Sequence, residues 1–250
     1  MTLPLFYSSD VTGKGPGDAV YLDAATSAHA IRSQRLGVGD PLMVSDGAGT
    51  LAHGTITSAD PQSAGLMVET VEVQPSPAVR INLVQALAKG DRDLMAVEMA
   101  TEVGVDAITP WQAQRSIVRI RPERAAKMRA KWEAKLHAAA QQSRRAFIPA
   151  LRPAVEGTGI SELHTPGDNQ HLVVLHEDAR STMQDVIEAL PKTLADLHLV
   201  VGPEGGVSPE ELAAVEQAGG NIVQLGPTVM RASTAGPVAI ALLNHFLDRW

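Results

Sequence analysis

Short alternating runs dominate the first 73 residues. "PLMVSDGAG" (41–49) is an apolar stretch ending in Asp-Gly, "TLAHGTITSA" (50–59) resumes the alternation, and "GLMVETVEV" (65–73) repeats it. Asp-Gly between two such runs predicts a β-hairpin. "DAATSAHAIRSQRL" (23–36) predicts one short helix. Residues 1–73 therefore read as a small β-barrel-like domain, and "QPSPA" (74–78) reads as a linker.

Beyond the linker, over residues 79–250, apolar runs and helical periodicity take turns. "RINLVQALA" (80–88), "VDAITPW" (105–111), "HLVVLHE" (171–177), "LHLVVG" (197–202) and "NIVQLG" (221–226) predict strands, with "FIPALRPAV" (147–155) a strand or edge segment. In "DRDLMAVEMATEVG" (91–104), Leu94, Val97, Ala100 and Val103 recur at threes; Asp91 is placed to cap the start and Gly104 to end the helix. Residues 122–143 predict a long helix with Pro122 in its first turn. The last helix, about 234–248, carries Val238, Leu242 and Phe246 at i, i+4, i+8. Strands alternating with helices predict an α/β domain with a largely parallel sheet, whose ligands sit beyond the carboxyl ends of the strands.

That rule selects three loops: "LHEDAR" (175–180), "GPEGG" (202–206) and "LGPTVMRASTAG" (225–236). No G-x-G-x-x-G follows a strand, so a dinucleotide site has no support, and "GKGPGD" (13–18) lacks the spacing of a P-loop. Gly205 and Gly206 would let backbone approach a ligand closely, and Pro203 stiffens the turn. Backbone donors and acceptors suit an adenine edge. Glu204 disfavours phosphate and tolerates a cation. S-adenosylmethionine, with its adenine, its sulfonium and no phosphate, meets these demands.

Composition narrows the field. The chain has 250 residues and no cysteine, which excludes disulfides and thiolate metal sites. The histidines show no paired metal spacing, so no metal is expected. The N-terminus lacks a basic start and a long apolar stretch, and no apolar run reaches the roughly 18 residues of a membrane helix; a cytoplasmic protein is expected. The net charge is −7, unevenly spread. Residues 112–152 contain eleven Lys and Arg against two Glu. Such clustering is an electrostatic footprint for a polyanion, and acidic residues that would balance an ordinary exposed helix are nearly absent from that stretch. Trp111 and Trp132 read as packing residues first and base-stacking platforms second.

"VGPEGGVSPEE" followed by "LGPTVMRASTA" resembles the RsmE family of SPOUT RNA methyltransferases. So do "EMATEVGVDAITPWQAQRS" (98–116), "AAAQQSRRAFIPAL" (138–151) and "HAIRSQRLGVGD" (29–40). The resemblance covers nearly the whole chain. It implies a small PUA-like RNA-binding β-barrel domain, then a SPOUT-type parallel-sheet domain with a C-terminal trefoil knot. It further implies a homodimer, S-adenosylmethionine as methyl donor, and N3-methylation of one uridine in 16S ribosomal RNA, free or in the small ribosomal subunit. The cofactor pocket implied is Leu175, His176 and Glu177; Gly202, Pro203, Glu204, Gly205 and Gly206; and Leu225, Gly226, Val229, Met230, Arg231, Ser233, Thr234 and Ala235. Proposed RNA contacts are Arg32, Arg35, Arg115, Ser116, Arg119, Arg144 and Arg145. Ser233 stands where relatives often carry Glu, so no essential carboxylate is assigned there. "LPLFYSS" lacks the early Arg of many relatives.

Uracil N3 carries a proton and is a poor nucleophile, so methylation needs that proton removed or the charge developing on O2 and O4 stabilised. Arg231 is the first candidate for charge stabilisation or uridine orientation. Glu204 and His176 are candidate bases, and the sequence does not choose between them. Two alternatives stay open: a non-catalytic RNA-binding protein of ribosome assembly, and a SPOUT methyltransferase acting on another RNA.

Overall fold

The computed structural model describes residues 3–164 and 169–250. The chain divides into two compact units, Met1–Ser76 with Ala140–Ile148, and Pro77–Ala139 with Pro149–Trp250.

The smaller unit is a five-stranded sheet. Its strands are β1 (Leu5–Tyr7), β2 (Ala19–Tyr21), β3 (Pro41–Ser45), β4 (Thr50–Ser58) and β5 (Gly65–Val73), in the order β1-β3-β4-β5-β2. β1 runs parallel to β3 and the other pairs are antiparallel. The predicted hairpin is β3–β4. Its turn is held by Asp46, whose carboxylate accepts from the N–H groups of Ala48 (2.8 Å) and Thr50 (3.0 Å). Inward-facing Phe6, Val20, Leu42 and Leu66 are almost fully buried, as alternation requires when one face meets the core. The predicted helix is α1 (Ala24–Ala28), capped by Asp23 and continued by a π-helical turn, His29–Ser33. Ala140–Ile148 joins this unit although chain order places it amid the larger one. Tyr7 donates its hydroxyl to the Arg145 carbonyl (2.7 Å), Ser45 donates to that of Ala146 (2.9 Å), and Phe147 forms a bridge with Ala48.

The larger unit is built on eight parallel strands. They are β6 (Arg80–Ala86), β7 (Ala107–Gln112), β8 (Ala150–Leu151), β9 (Val155–Glu156), β10 (Gln170–Leu175), β11 (Ser181–Thr182), β12 (Asp196–Val201) and β13 (Asn221–Gln224). Their order is β11-β13-β10-β12-β6-β7-β8, with β9 also paired to β7. β12 is buried along its whole length, in keeping with the apolar residues that make up all of it except Asp196 and His198. The helices are α2 (Arg92–Glu102), α3 (Pro122–Gln142), α4 (Met183–Ala189), α5 (Pro209–Gln217) and α6 (Ala232–Phe246). Trp111 and Trp132 are both core residues, at 0% and 1% exposure.

Two local expectations are corrected. Asp91 occupies the N-cap position of α2 but caps nothing. Its backbone is left-handed (φ 58°), and its carboxylate pairs with Lys131 at 2.8 Å. In α6 the buried face is Ser233, Gly236, Pro237, Ala239, Ile240, Leu243 and Asn244. Leu242 and Phe246, part of the stripe that signals the helix, are exposed at 37% and 39%. α6 has two apolar faces, and periodicity alone does not say which one meets the sheet. Gly104, at φ 96°, ends α2 as expected.

Candidate active site

The register of three adjacent strands sets the site. Leu175, the last residue of β10, pairs with Val201, the last of β12, and with Val223 near the end of β13. Three parallel strands thus stop level with one another, and the three loops, two of them rich in glycine and proline, leave from one edge of the sheet.

The first and third loops are tied together. His176 donates its backbone N–H to the Val223 carbonyl (2.9 Å), and the Gln224 side chain donates to the Glu177 carbonyl (3.1 Å). Within the first loop, His176 Nδ1 accepts from the N–H of Asp178 (3.2 Å). Leu175, His176, Leu225, Gly226 and Met230 are half-buried, whereas Glu177 and Val229 are exposed.

The second loop is a tight turn in which Gly206, at φ 75°, donates to the Pro203 carbonyl (2.9 Å). Its glycines serve more than ligand approach. A Cβ on Gly205 would lie 3.0 Å from the carbonyl oxygen of Arg115 and 3.1 Å from its Cβ, and a Cβ on Gly202 would lie 2.8 Å from Val207. Gly205 is therefore fixed by the segment after β7, whose Arg115 also donates to the Gly205 carbonyl (3.3 Å). Gly205→Ala is expected to destabilise the fold by about 1–3 kcal/mol through overpacking. Urea unfolding measures it, and an unchanged midpoint would show that the Arg115 segment yields freely.

A buried carboxylate clamps the same two segments. Glu211 is 0% exposed and completes a capping box with Ser208 at the start of α5. It accepts from the N–H of Ser208 (2.9 Å) and from that of Gln114 (2.7 Å). Glu211→Ala strands both donors, so a loss of about 2–4 kcal/mol is expected. Glu211→Gln, which keeps one acceptor oxygen, should lose less in the same unfolding experiment.

Glu204 is not a free base. Its carboxylate pairs with Arg92 at 3.1 Å, which ties the turn to the start of α2. Arg231, by contrast, is exposed and makes no side-chain cap at the N-cap position of α6. Its guanidinium has no hydrogen-bond or ion-pair partner among the described residues. Its carbonyl accepts from the N–H groups of Thr234 (2.8 Å) and Ala235 (3.0 Å). Thr234 and Ala235 are half-buried and Ser233 is buried at 5% exposure, so Ser233 meets the core of its unit and offers little surface to a ligand.

The expected RNA contacts divide between the units. In the smaller unit Arg32, Arg35 and Arg144 are exposed and Arg145 is half-buried. Arg35 and Arg144 hold left-handed backbone (φ 59° and 57°), an uncommon state for such residues. In the larger unit Arg115 is exposed, and Arg119 donates to the carbonyls of Ala113 (3.4 Å) and Gln114 (2.7 Å). Ser116 corrects the expectation: it is 4% exposed, and its hydroxyl has no partner among the described residues, so it cannot meet a phosphate here. The charge of α3 is also better balanced than its sequence shows. Lys131 pairs with Asp91 and Lys135 with Glu98 (2.9 Å), both acids lying at or in α2, while Arg129 pairs with Glu133 (2.8 Å). Arg121, Arg124 and Lys127 stay exposed.

A further feature of this edge spans three loops. A recess of about 440 Å3 is lined by Lys89, Gly90, Arg92, Ile117 and Glu204. "AKGDRD" (88–93) carries the signal as a Gly-Asp turn after a strand, but three separate loops have to meet before a recess exists.

This chain and its fold have counterparts among known proteins. Residues 74–244 match the model of an RNA methyltransferase domain. A ribosomal RNA small subunit methyltransferase E of Mycobacterium bovis is 37% identical over 254 aligned residues, covering 100% of this chain and 94% of that protein. The chain belongs to the ribosomal RNA small subunit methyltransferase E family. A putative methyltransferase of Legionella pneumophila, solved in complex with S-adenosylmethionine, superposes with a TM-score of 0.82 at 27% identity, covering 98% of both chains. The methyltransferase E of Neisseria gonorrhoeae superposes at 0.83 with 24% identity, covering 98% of both chains, and speaks for the fold.

Proposed function

We propose that this protein methylates N3 of a uridine in 16S ribosomal RNA with S-adenosylmethionine as donor. Membership of the family supports an S-adenosylmethionine-dependent ribosomal RNA methyltransferase. The observation that carries the reading is the level ending of β10, β12 and β13 at Leu175, Val201 and Val223, which gathers the three loops into one cradle.

The donor set fits the cofactor. Half-buried Leu175, Leu225 and Met230 offer apolar surface to an adenine. The exposed carboxylate of Glu177 suits ribose hydroxyls, and no lysine in the three loops favours a phosphate. When bound, S-adenosylmethionine supplies a methyl group activated by a sulfonium. The chain's own part is to hold the uracil and manage its proton. Arg231 is free to receive the negative charge that develops on O2 or O4. With Glu204 held by Arg92, neither candidate stands ready as a base: His176 Nδ1 accepts from the N–H of Asp178, so the ring proton sits on Nε2, which can donate to a uracil oxygen.

The same reading includes a knot, a PUA-like smaller domain, a cytoplasmic setting and a homodimer. The insertion of β13 between β11 and β10, followed by the return of α6 against β6 and β12, supports the knot. The second apolar face of α6, with Leu242 and Phe246 exposed, supports pairing with another copy. No helix among the described residues is long and apolar enough to cross a membrane.

Mass spectrometry of 16S ribosomal RNA from a deletion strain tests the activity. One 3-methyluridine should disappear and return on complementation; an unchanged modification pattern rejects the proposal. Calorimetric titration with S-adenosylmethionine separates it from a non-catalytic RNA-binding role, for which the folded protein would give no heat.

A further inference from the structure

The recess described above shares Glu204 with the implied cofactor pocket and extends beyond it to Lys89, Gly90, Arg92 and Ile117, which the cofactor reading does not use. It forms where the segments after β6, β7 and β12 converge, and these strands are neighbours in the sheet. We propose that it holds a phosphodiester-linked nucleotide of single-stranded RNA next to the base being methylated. Lys89 and Arg92 would take the phosphate, and Ile117 would lie against the sugar or base. The inference rests on the methyltransferase reading and adds a substrate subsite to it.

Charge is the first argument. Two cations and one carboxylate line the recess. The nearby carboxylate of Asp91 is drawn off by Lys131, so it does not neutralise Lys89. Lys89 is exposed and has no ion-pair partner among the described residues. Arg92 shares its charge with Glu204 alone among them. The remaining imbalance favours an anion, and a lone carboxylate is a poor set of ligands for a metal ion.

Shape and rigidity are the second. Gly90 and Asp91 hold consecutive left-handed backbone (φ 68° and 58°), a conformation that costs free energy at Asp91 and recurs at ligand sites. Asp93, 8% exposed, accepts from the N–H of Leu94 (2.8 Å) and is hydrogen-bonded to the backbone of Ala88, which ties the start of α2 to the residue before the turn. Lys89 is thus presented on a fixed support. Ile117 is 69% exposed, an apolar side chain without a core to pack into and beside two cations. A cation pair next to an apolar wall matches a nucleotide, which carries both an anionic and an apolar part. Its volume falls within the range of about 300–1,000 Å3 usual for small-ligand sites.

Location is the third. The recess and the cofactor cradle share the 202–206 turn, and the Arg92–Glu204 pair joins them directly. An RNA strand entering the recess would reach the cradle without leaving the sheet edge.

The test uses the full chain, a labelled decauridylate as probe, and small ribosomal subunits as substrate. Anisotropy titrations over a range of KCl give the salt slope of binding. Lys89→Ala should reduce that slope by about 0.7, one phosphate contact on a single strand. It should raise KM for the subunit several-fold and leave affinity for S-adenosylmethionine unchanged. Lys89→Arg should restore the slope. Ile117→Ala should weaken decauridylate binding at all salt concentrations without altering the slope. If the wild type methylates subunits while Lys89→Ala keeps the wild-type slope and KM, the subsite is overturned and the methyltransferase reading stands. If the wild type neither binds S-adenosylmethionine nor methylates subunits, both are overturned.

Discussion

Arg231→Ser is expected to make the protein more stable and nearly inactive. Arginine is a poor N-cap, and a positive charge at a helix N-terminus opposes the helix dipole. Arg231 sits at that position of α6, exposed, without a capping bond. Serine there would satisfy an early N–H of α6, and a gain of about 0.5–1 kcal/mol follows from the usual range for caps. Activity should move the other way. Loss of one preorganised donor to a developing oxyanion typically lowers kcat by about 10²–10³-fold. Arg231→Lys keeps the charge without the planar fork and should recover part of the rate. Single-turnover methylation of small ribosomal subunits beside thermal unfolding reads both quantities. A variant that loses stability and keeps its rate would make Arg231 a structural residue and leave the uridine oxygens without an assigned partner.

Acid should destabilise the larger unit well above the pH at which its carboxylates titrate. His198 in β12 is 3% exposed. One ring nitrogen lies 3.3 Å from the Gln170 side-chain oxygen, and Nδ1 has no partner among the described residues. Burial first, then the charge of Arg152, lowers its pKa from the ordinary 6.5 to about 4. The Asp196 charge works against this and does not prevail. Between those two values the unfolded chain binds a proton that the folded chain refuses, so stability falls as pH falls from 6.5 to about 4. The full shift corresponds to about 3 kcal/mol, fully present above 6.5. Burial likewise lowers the pKa of His171, which adds to the slope. Asp196 contributes below this window, because the arginine and asparagine beside it hold its pKa under the usual 3.8. Urea unfolding at pH 7 and pH 4.5 should differ by a large fraction of that amount in the wild type and by less in His198→Asn. Equal stabilities of the wild type at the two pH values would mean that the folded state admits the proton after all.

Much of this was legible before the fold was known. The apolar runs named strands β6, β7, β10, β12 and β13. The carboxyl-end rule singled out the three loops that the register later brought level. Trp111 and Trp132 were assigned to packing and are buried. What failed shares a cause. Asp91 looked like a cap because capping is read from neighbours in sequence, yet its partner, Lys131, is 40 residues away. α3 looked like an unbalanced cationic face because two of the balancing acids, Glu98 and Asp91, lie in α2 or just before it. Ser116 looked like a phosphate contact because burial of a loop residue leaves no periodic trace.

Periodicity, turn chemistry and loop composition are local properties, and the chain fixes them as soon as it is written: the parallel α/β unit, the hairpin unit before it, and the glycine turns at 202–206 and 225–236. Partnership is not local. That Gly205 lacks a side chain because Arg115 presses on it, that Glu204 answers to Arg92, that Ala140–Ile148 returns to the first unit, and that Lys89 and Ile117 meet across a recess all depend on which segments the sheet order places side by side. Those contacts are set by packing between segments distant in sequence, and no short stretch of residues records it.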